Sequence, residues 1–194
     1  MRVMLLAITA LGLAACETTE EWSEWEPITA EHSLIAVSQP AGVDLPDIAR
    51  WRREKRFPPD MEEQWQWSGG IGSLVRLAPG YNYSFSSNDP DVLLETYRFW
   101  PVAEEEGIEI ERAEVARRRN DIGFYFYATG YSSSGRTLCF FGTQGLQARQ
   151  APETMATPGT SGGYISLQHC VDGDVSQAAV VADMTAILDN LSLR

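Results

Sequence analysis

The chain is poor in the residues that most often do chemistry. Two histidines, His32 and His169, stand in 194 residues, which leaves little for general acid–base work. Three cysteines occur without a Cys-x-x-Cys spacing, so neither a thiolate metal site nor any other cofactor is expected. There is no His-Glu-x-x-His, no phosphate-cradling Walker loop and no dinucleotide fingerprint. Positive charge is scarce: 15 Lys and Arg stand against 27 Asp and Glu, a net charge of −12. That balance argues against nucleic acid as a partner and against an electrostatic hold on anionic lipid. The only long apolar run lies within the first 15 residues and is too short to span a bilayer as a permanent helix.

What is present suffices for one folded domain. Hydrophobic residues make up 44% of the chain, and the length allows a sizeable core. Met1 to Ala15 has one charge, Arg2, then Val3-Met4-Leu5-Leu6-Ala7-Ile8 and small residues. This is the layout of a secretory signal. Its end, Leu13-Ala14-Ala15-Cys16, resembles the lipobox of bacterial envelope lipoproteins. The resemblance implies that Cys16 becomes the first mature residue and carries a thioether-linked diacylglycerol, usually with a third, palmitate-type chain on its amine. Each buried methylene contributes about 0.8 kcal/mol, and two or three chains make a stable anchor. The protein would then be tethered in the cell envelope, facing the periplasm. Glu17 does not decide between inner and outer membrane. The expected layout is a signal peptide over 1–15, the lipidated cysteine and a flexible acidic tether over 16–30, and a single α+β domain over 31–194.

With Cys16 assigned to lipid, Cys139 and Cys170 remain as a pair in an oxidising compartment, where a disulfide is the natural reading. Residues 136–144 and 163–171 both read as strands. Pairing them antiparallel with Cys139 opposite Cys170 gathers Leu138, Phe140, Ile165, Leu167 and Val171 on one face. The cysteines then share the other face with Phe141 and Tyr164. His169 falls opposite Phe140 and reads as a packed histidine. Residues 123–131 place Phe124, Phe126 and Ala128 on one side and Tyr125, Tyr127 and Tyr131 on the other, as expected of an inner strand covered on both faces. Val175 to Leu191 reads as a helix, with Asp174 as N-cap, Gln177 three residues on, and a stripe of Val180, Met184, Ile187 and Leu191. The predicted fold is α+β: an antiparallel sheet with a C-terminal helix packed on one face.

The first half is less regular. Glu17 to Pro27 is acidic and aperiodic, and Trp22 and Trp25 within it read as a docking motif, as residues at the headgroup level, or as part of an arm folded on the domain. Residues 32–39 predict a strand. Leu45 to Phe57 predicts a short helix carrying Arg50, Arg52, Arg53, Lys55 and Arg56, whose arginines are expected to pair with the domain's own carboxylates. Residues 62–68, 72–78 and 81–85 suggest a three-stranded meander, with Trp65 and Trp67 two apart on one face. Residues 91–100 fit a short helix ended by Pro101. Residues 108–119 fit a helix or an edge strand equally, and the run Arg117-Arg118-Arg119 within them reads as solvated. Gln147 to Ser161 is expected to be an exposed loop.

Asn120-x-x-Gly123-Phe124-x-x-Tyr127-Ala128, Cys139-Phe140-Phe141-x-x-Gln144, Cys170 and the terminal helix together resemble small alphaproteobacterial envelope lipoproteins. Among these the chain is similar to the N-type accessory proteins of bacterial cellulose biosynthesis, although Thr143 stands where an aromatic residue is expected. That resemblance implies a non-enzymatic accessory or scaffolding role at an envelope protein partner, near polysaccharide production or export, with no catalytic residue to transfer. Two other readings stand beside it. One is a glycan-binding module stacking sugars on exposed Trp65 and Trp67. The other is a hydrolase using paired carboxylates.

Overall fold

The computed structural model describes residues 22–37, 48–55, 60–76, 90–147 and 161–193. In chain order these form β1 (Glu26–Pro27), β2 (Ile35–Val37), β3 (Ala49–Glu54), β4 (Met61–Trp67) and β5 (Gly70–Arg76). There follow α1 (Asp91–Thr96), a 3-10 turn at Tyr97–Phe99, α2 (Pro101–Glu105) and a second 3-10 turn at Arg112–Glu114. The chain ends with β6 (Ala116–Arg119), β7 (Phe124–Tyr131), β8 (Thr137–Gln147), β9 (Ser161–Asp172), α3 (Gln177–Asp189) and β10 (Leu191–Leu193). Eight strands make one sheet in the order β1-β3-β4-β5-β9-β8-β7-β6, and β10 pairs with β2 separately. All these pairings are antiparallel.

The β8–β9 register is the expected one. Cys139 stands opposite Cys170, Leu138 opposite Val171 and Phe140 opposite His169. Because side chains alternate along a strand, this register sorts two cores. On one face Leu138, Phe140, Ile165 and Leu167 pack with Val180, Met184, Ile187 and Leu188 of α3. On the other, Phe126, Ala128, Cys139 and Phe141 pack with Leu93, Tyr97, Ala103, Ile108 and Ile110. Strand β7 feeds both layers, Tyr125 one and Phe126 the other, so it is the doubly covered inner strand its aromatics suggested.

Several elements differ from the sequence expectation. The segment expected as a helix over 45–57 is, where described, the strand β3. Its Arg52 and Arg53 pair across to Glu63 and Glu62 of β4, so cross-strand partners outweigh a helical spacing. The tether expected to be flexible through residue 30 is paired from Trp22 onward: Trp22 bridges Lys55, and Glu26 and Pro27 stand opposite Arg52 and Trp51. Pro101 begins α2 at its first turn instead of ending α1, a position where its missing N–H costs nothing. Ser176, not Asp174, is the N-cap of α3, and it makes no side-chain cap bond. Gln177 reaches instead to Thr129 on β7 at 2.6 Å. Residues 116–119 resolve to an edge strand. The third meander strand over 81–85 and most of the loop over 147–161 lie outside the described residues, as does Cys16.

Candidate functional site

The centre of the molecule is the junction of β5, β9 and β8. Cys139 and Cys170 form a disulfide there, with Cα atoms 4.1 Å apart. Cys139 is fully buried, and Gln168 donates to Cys170 Sγ at 3.3 Å. The two-residue Ser68-Gly69 turn closes the β4–β5 hairpin, since Trp67 already faces Gly70. Gly69 sits at φ +76, and a Cβ on it would lie 2.8 Å from the carbonyl oxygen of Cys170. Its own carbonyl accepts from the Cys170 amide at 2.7 Å. The hairpin turn is thus pinned against the disulfide strand, and only glycine fits the pin.

Trp65 and Trp67 carry the alternative reading of an exposed sugar-stacking pair, against the more usual one of core residues. The structure buries both, at 2% and 7% exposure. Across the hairpin Trp65 faces Gly72 and Trp67 faces Gly70, and each indole lies over the bare glycine. A Cβ on Gly72 would stand 2.3 Å from Trp65, and one on Gly70 2.2 Å from Trp67. The rings therefore fill the α3-side core and have no open face for a sugar. The glycan assignment for these two residues is corrected on this ground. Among the described residues, the Trp65 indole N–H is the one buried side-chain polar atom without a hydrogen-bond partner.

Trp67 instead donates to Nδ1 of His169 at 3.2 Å, and the two rings stack with centroids 6.2 Å apart. A donor aimed at Nδ1 requires a lone pair there, so the imidazole is neutral with its proton on Nε2. Burial holds the His169 pKa below its ordinary value, against weaker pulls from the Gly69 carbonyl and Asp183. His169 is a packed histidine, as its position opposite Phe140 suggested.

The residues that carried the resemblance meet in a second polar knot. Asn120 and Gln144 exchange side-chain hydrogen bonds at 3.1 and 2.7 Å. Asn120 also donates to the Leu188 carbonyl at 2.7 Å and accepts from the amides of Ile122 and Gly123. Gln144 has no solvent exposure. The knot satisfies a carbonyl near the end of α3 and holds the turn before β7. Beside it, Tyr125 donates to Asp189 at 2.6 Å. Burial, and then this bond, push the phenol pKa well above its ordinary range. Both features fasten α3 to the sheet.

Two further features tie the N-terminal elements together, and the first of them was not expected from the sequence. Glu63 is buried on β4, where it accepts from Arg52 at 2.5 Å, from the Ser33 hydroxyl at 2.8 Å and from the Leu34 amide at 3.0 Å. It ties the β2 region to the main sheet. The other is the arm before β2, which was one of the readings open for Trp22 and Trp25 and is the one the structure shows. The Arg53 guanidinium lies 4.7 Å from the Trp22 ring centroid and 4.5 Å from that of Trp25, and the Lys55 ammonium 5.0 Å from Trp22. Arg53 also pairs with Glu62 at 2.5 Å. No composition rule separates such an arm from a free tether, because its register depends on β3.

Gly159 to Gly163 reads Gly-Thr-Ser-Gly-Gly, a match to the nucleophile-elbow pattern. That motif needs a sharp strand-to-helix turn. Here Ser161 opens the twelve-residue strand β9, so the required context is lacking. Among the described residues, no group of three His, Cys, Asp or Glu side chains is placed to hold a metal ion, and no helix is long and apolar enough to cross a membrane. Compared with known families, curated proteins and solved structures, the chain matches no family model, no curated sequence and no solved fold.

Proposed function

We propose that this chain is a lipid-anchored protein of the bacterial cell envelope, held at the membrane through Cys16 and serving a non-enzymatic, scaffolding role for an envelope partner. One observation carries the reading. The Cys139–Cys170 disulfide accounts for two of three cysteines, and the third stands in Leu-Ala-Ala-Cys at the end of an export-type signal. A disulfide buried in the sheet supports folding in an oxidising compartment, which is where a lipobox would deliver the chain. The polar clusters at Glu63, Asn120–Gln144 and Tyr125 are each occupied in joining elements, which supports a scaffold over a catalyst. The resemblance of the C-terminal third adds a polysaccharide-producing complex as the class of partner.

The test is Cys16→Ser in a bacterial host fed radiolabelled palmitate. The wild-type chain should take up label and sediment with membranes. The variant should take up none, and should either appear in the soluble fraction or keep its signal. A processed, unlabelled variant that still sediments with membranes would overturn the anchor.

A further inference from the structure

The arm packed on β3 has a consequence for how the domain is carried. Trp22 and Trp25 flank Arg53, and Pro27 stands opposite Trp51. Alternation along β3 puts Trp51, Arg53 and Lys55 on one face. Trp22, Trp25 and Trp51 are all partly exposed there. Three tryptophans thus share one surface at the β1 edge of the sheet. Arg53 is neutralised by Glu62 and holds two of the rings in place, so presenting them costs little further ordering.

We infer that this surface rests on the bilayer, with Trp22, Trp25 and Trp51 at the headgroup level. The inference depends on the lipid at Cys16 proposed above. Only six residue steps separate Cys16 from Trp22, and a fully extended chain of that length reaches about 20 Å. Whatever path those residues take, Trp22, at one end of the β1–β3 edge, stays within that distance of the anchor. The opposite edge, β6, lies seven strand spacings away, about 34 Å at the usual separation. The edge kept close to the membrane is therefore the one carrying three partly exposed indoles. Tryptophan favours the membrane–water interface because one side of the ring is apolar and its N–H finds water or headgroups. Glu24, Glu26, Glu54 and Glu62 lie in the same stretch, so the surface is not a basic patch. The hold is by indole and anchor, and it needs no anionic lipid.

The test uses the full lipidated chain in zwitterionic vesicles of phosphatidylcholine brominated near the headgroup. Wild-type fluorescence should be quenched, to the same degree in low and high salt. In the W22F/W25F/W51F variant, whose emission comes from Trp65, Trp67 and Trp100, quenching should fall to less than half. Equal fractional quenching in the two proteins would overturn the inference, as would no quenching in wild type. If the variant does not fold, hydrogen exchange of the wild type on and off vesicles replaces it. Protection confined to residues 22–28 and 49–55 supports the inference, and its absence there overturns it. Mass spectrometry of Cys16 separates the two failures: dry indoles on a lipidated chain sink only this inference, whereas an unlipidated Cys16 sinks both. Shielding of the same indoles from acrylamide by a soluble β-glucan, without lipid quenching, would make the surface a glycan site and overturn the lipid assignment.

Discussion

At the scale of single residues, the interior shows two ways of housing an indole. Trp65 leaves its N–H without an acceptor, a deficit of about 1–3 kcal/mol for a buried donor, which the burial of so large a ring offsets. Trp67 satisfies its N–H on His169. That bond and the burial of the imidazole make His169 a proton-sensitive point. Its pKa is lowered in the folded protein, so on acidification the unfolded chain takes the proton first. The stability it contributes is complete above the unfolded value of about 6.5 and is lost as pH falls through the lower folded value. Melting temperature should therefore drop from pH 7.5 to 5.5, and His169→Gln should flatten that part of the drop. Calorimetric melts of both proteins across this range check it. Parallel curves would show that the imidazole keeps its ordinary affinity for protons.

At the scale of elements, what the sequence revealed depended on whether two independent signals agreed. Strands β8 and β9 were legible because one register both joined the cysteines and collected Leu138, Phe140, Ile165 and Leu167 on a single face. Strand β3 was not, because Ile48, Trp51 and Lys55 satisfy a helical spacing, while the residues that overrule it, Glu62 and Glu63, belong to another strand. The two-residue spacing of Trp65 and Trp67 shows in the sequence that they share a face. Which face is covered was hidden, although Trp-x-Trp followed across a two-residue turn by Gly-x-Gly marks rings folded onto bare backbone. The candidate site shared this pattern: the disulfide was legible, whereas the packed arm was only one of three readings open for Trp22 and Trp25. Glu63 shows the energetic stake in such cross-element ties. Removing it takes an acceptor from the Arg52 guanidinium, the Ser33 hydroxyl and the Leu34 amide at once, and among the described residues leaves Arg52 only the His32 carbonyl and Ser33 only that of Ile35. Glu63→Ala should cost about 3 kcal/mol, the low end for breaking a buried pair, since Arg52 is partly exposed. Urea denaturation measures that cost. Hydrogen exchange should show β2 and β10 opening first, and a loss below about 0.5 kcal/mol would mean that β2 is held by its apolar contacts alone.

For the whole molecule, the decisive interface is the one between β5 and β9, where the N-terminal strands join the C-terminal half of the sheet. Nothing local brings these strands together, and ordering such distant segments is the main entropic cost of this topology. The disulfide acts one strand away, between β8 and β9, closing a loop across a sequence separation of 31. In the chain-entropy account, restricting a loop of that size in the unfolded state contributes about 3–4 kcal/mol, a model-dependent figure. A typical domain has roughly 5–15 kcal/mol in total, so the double variant Cys139→Ala/Cys170→Ala should still fold at 25 °C, but with a thin margin. For a chain of this length the loss corresponds to a fall in melting temperature on the order of 10 °C. The same account makes a second demand. Without the cross-link the unfolded chain is more expanded, exposes more surface and gives a steeper dependence of stability on urea. A lowered midpoint with a larger slope places the effect in the unfolded state. A lowered midpoint with an unchanged slope places it instead in the packing of Cys139 against Phe141 and Phe126, and no change in either would mean that the registered hairpin holds the sheet together without its covalent bond.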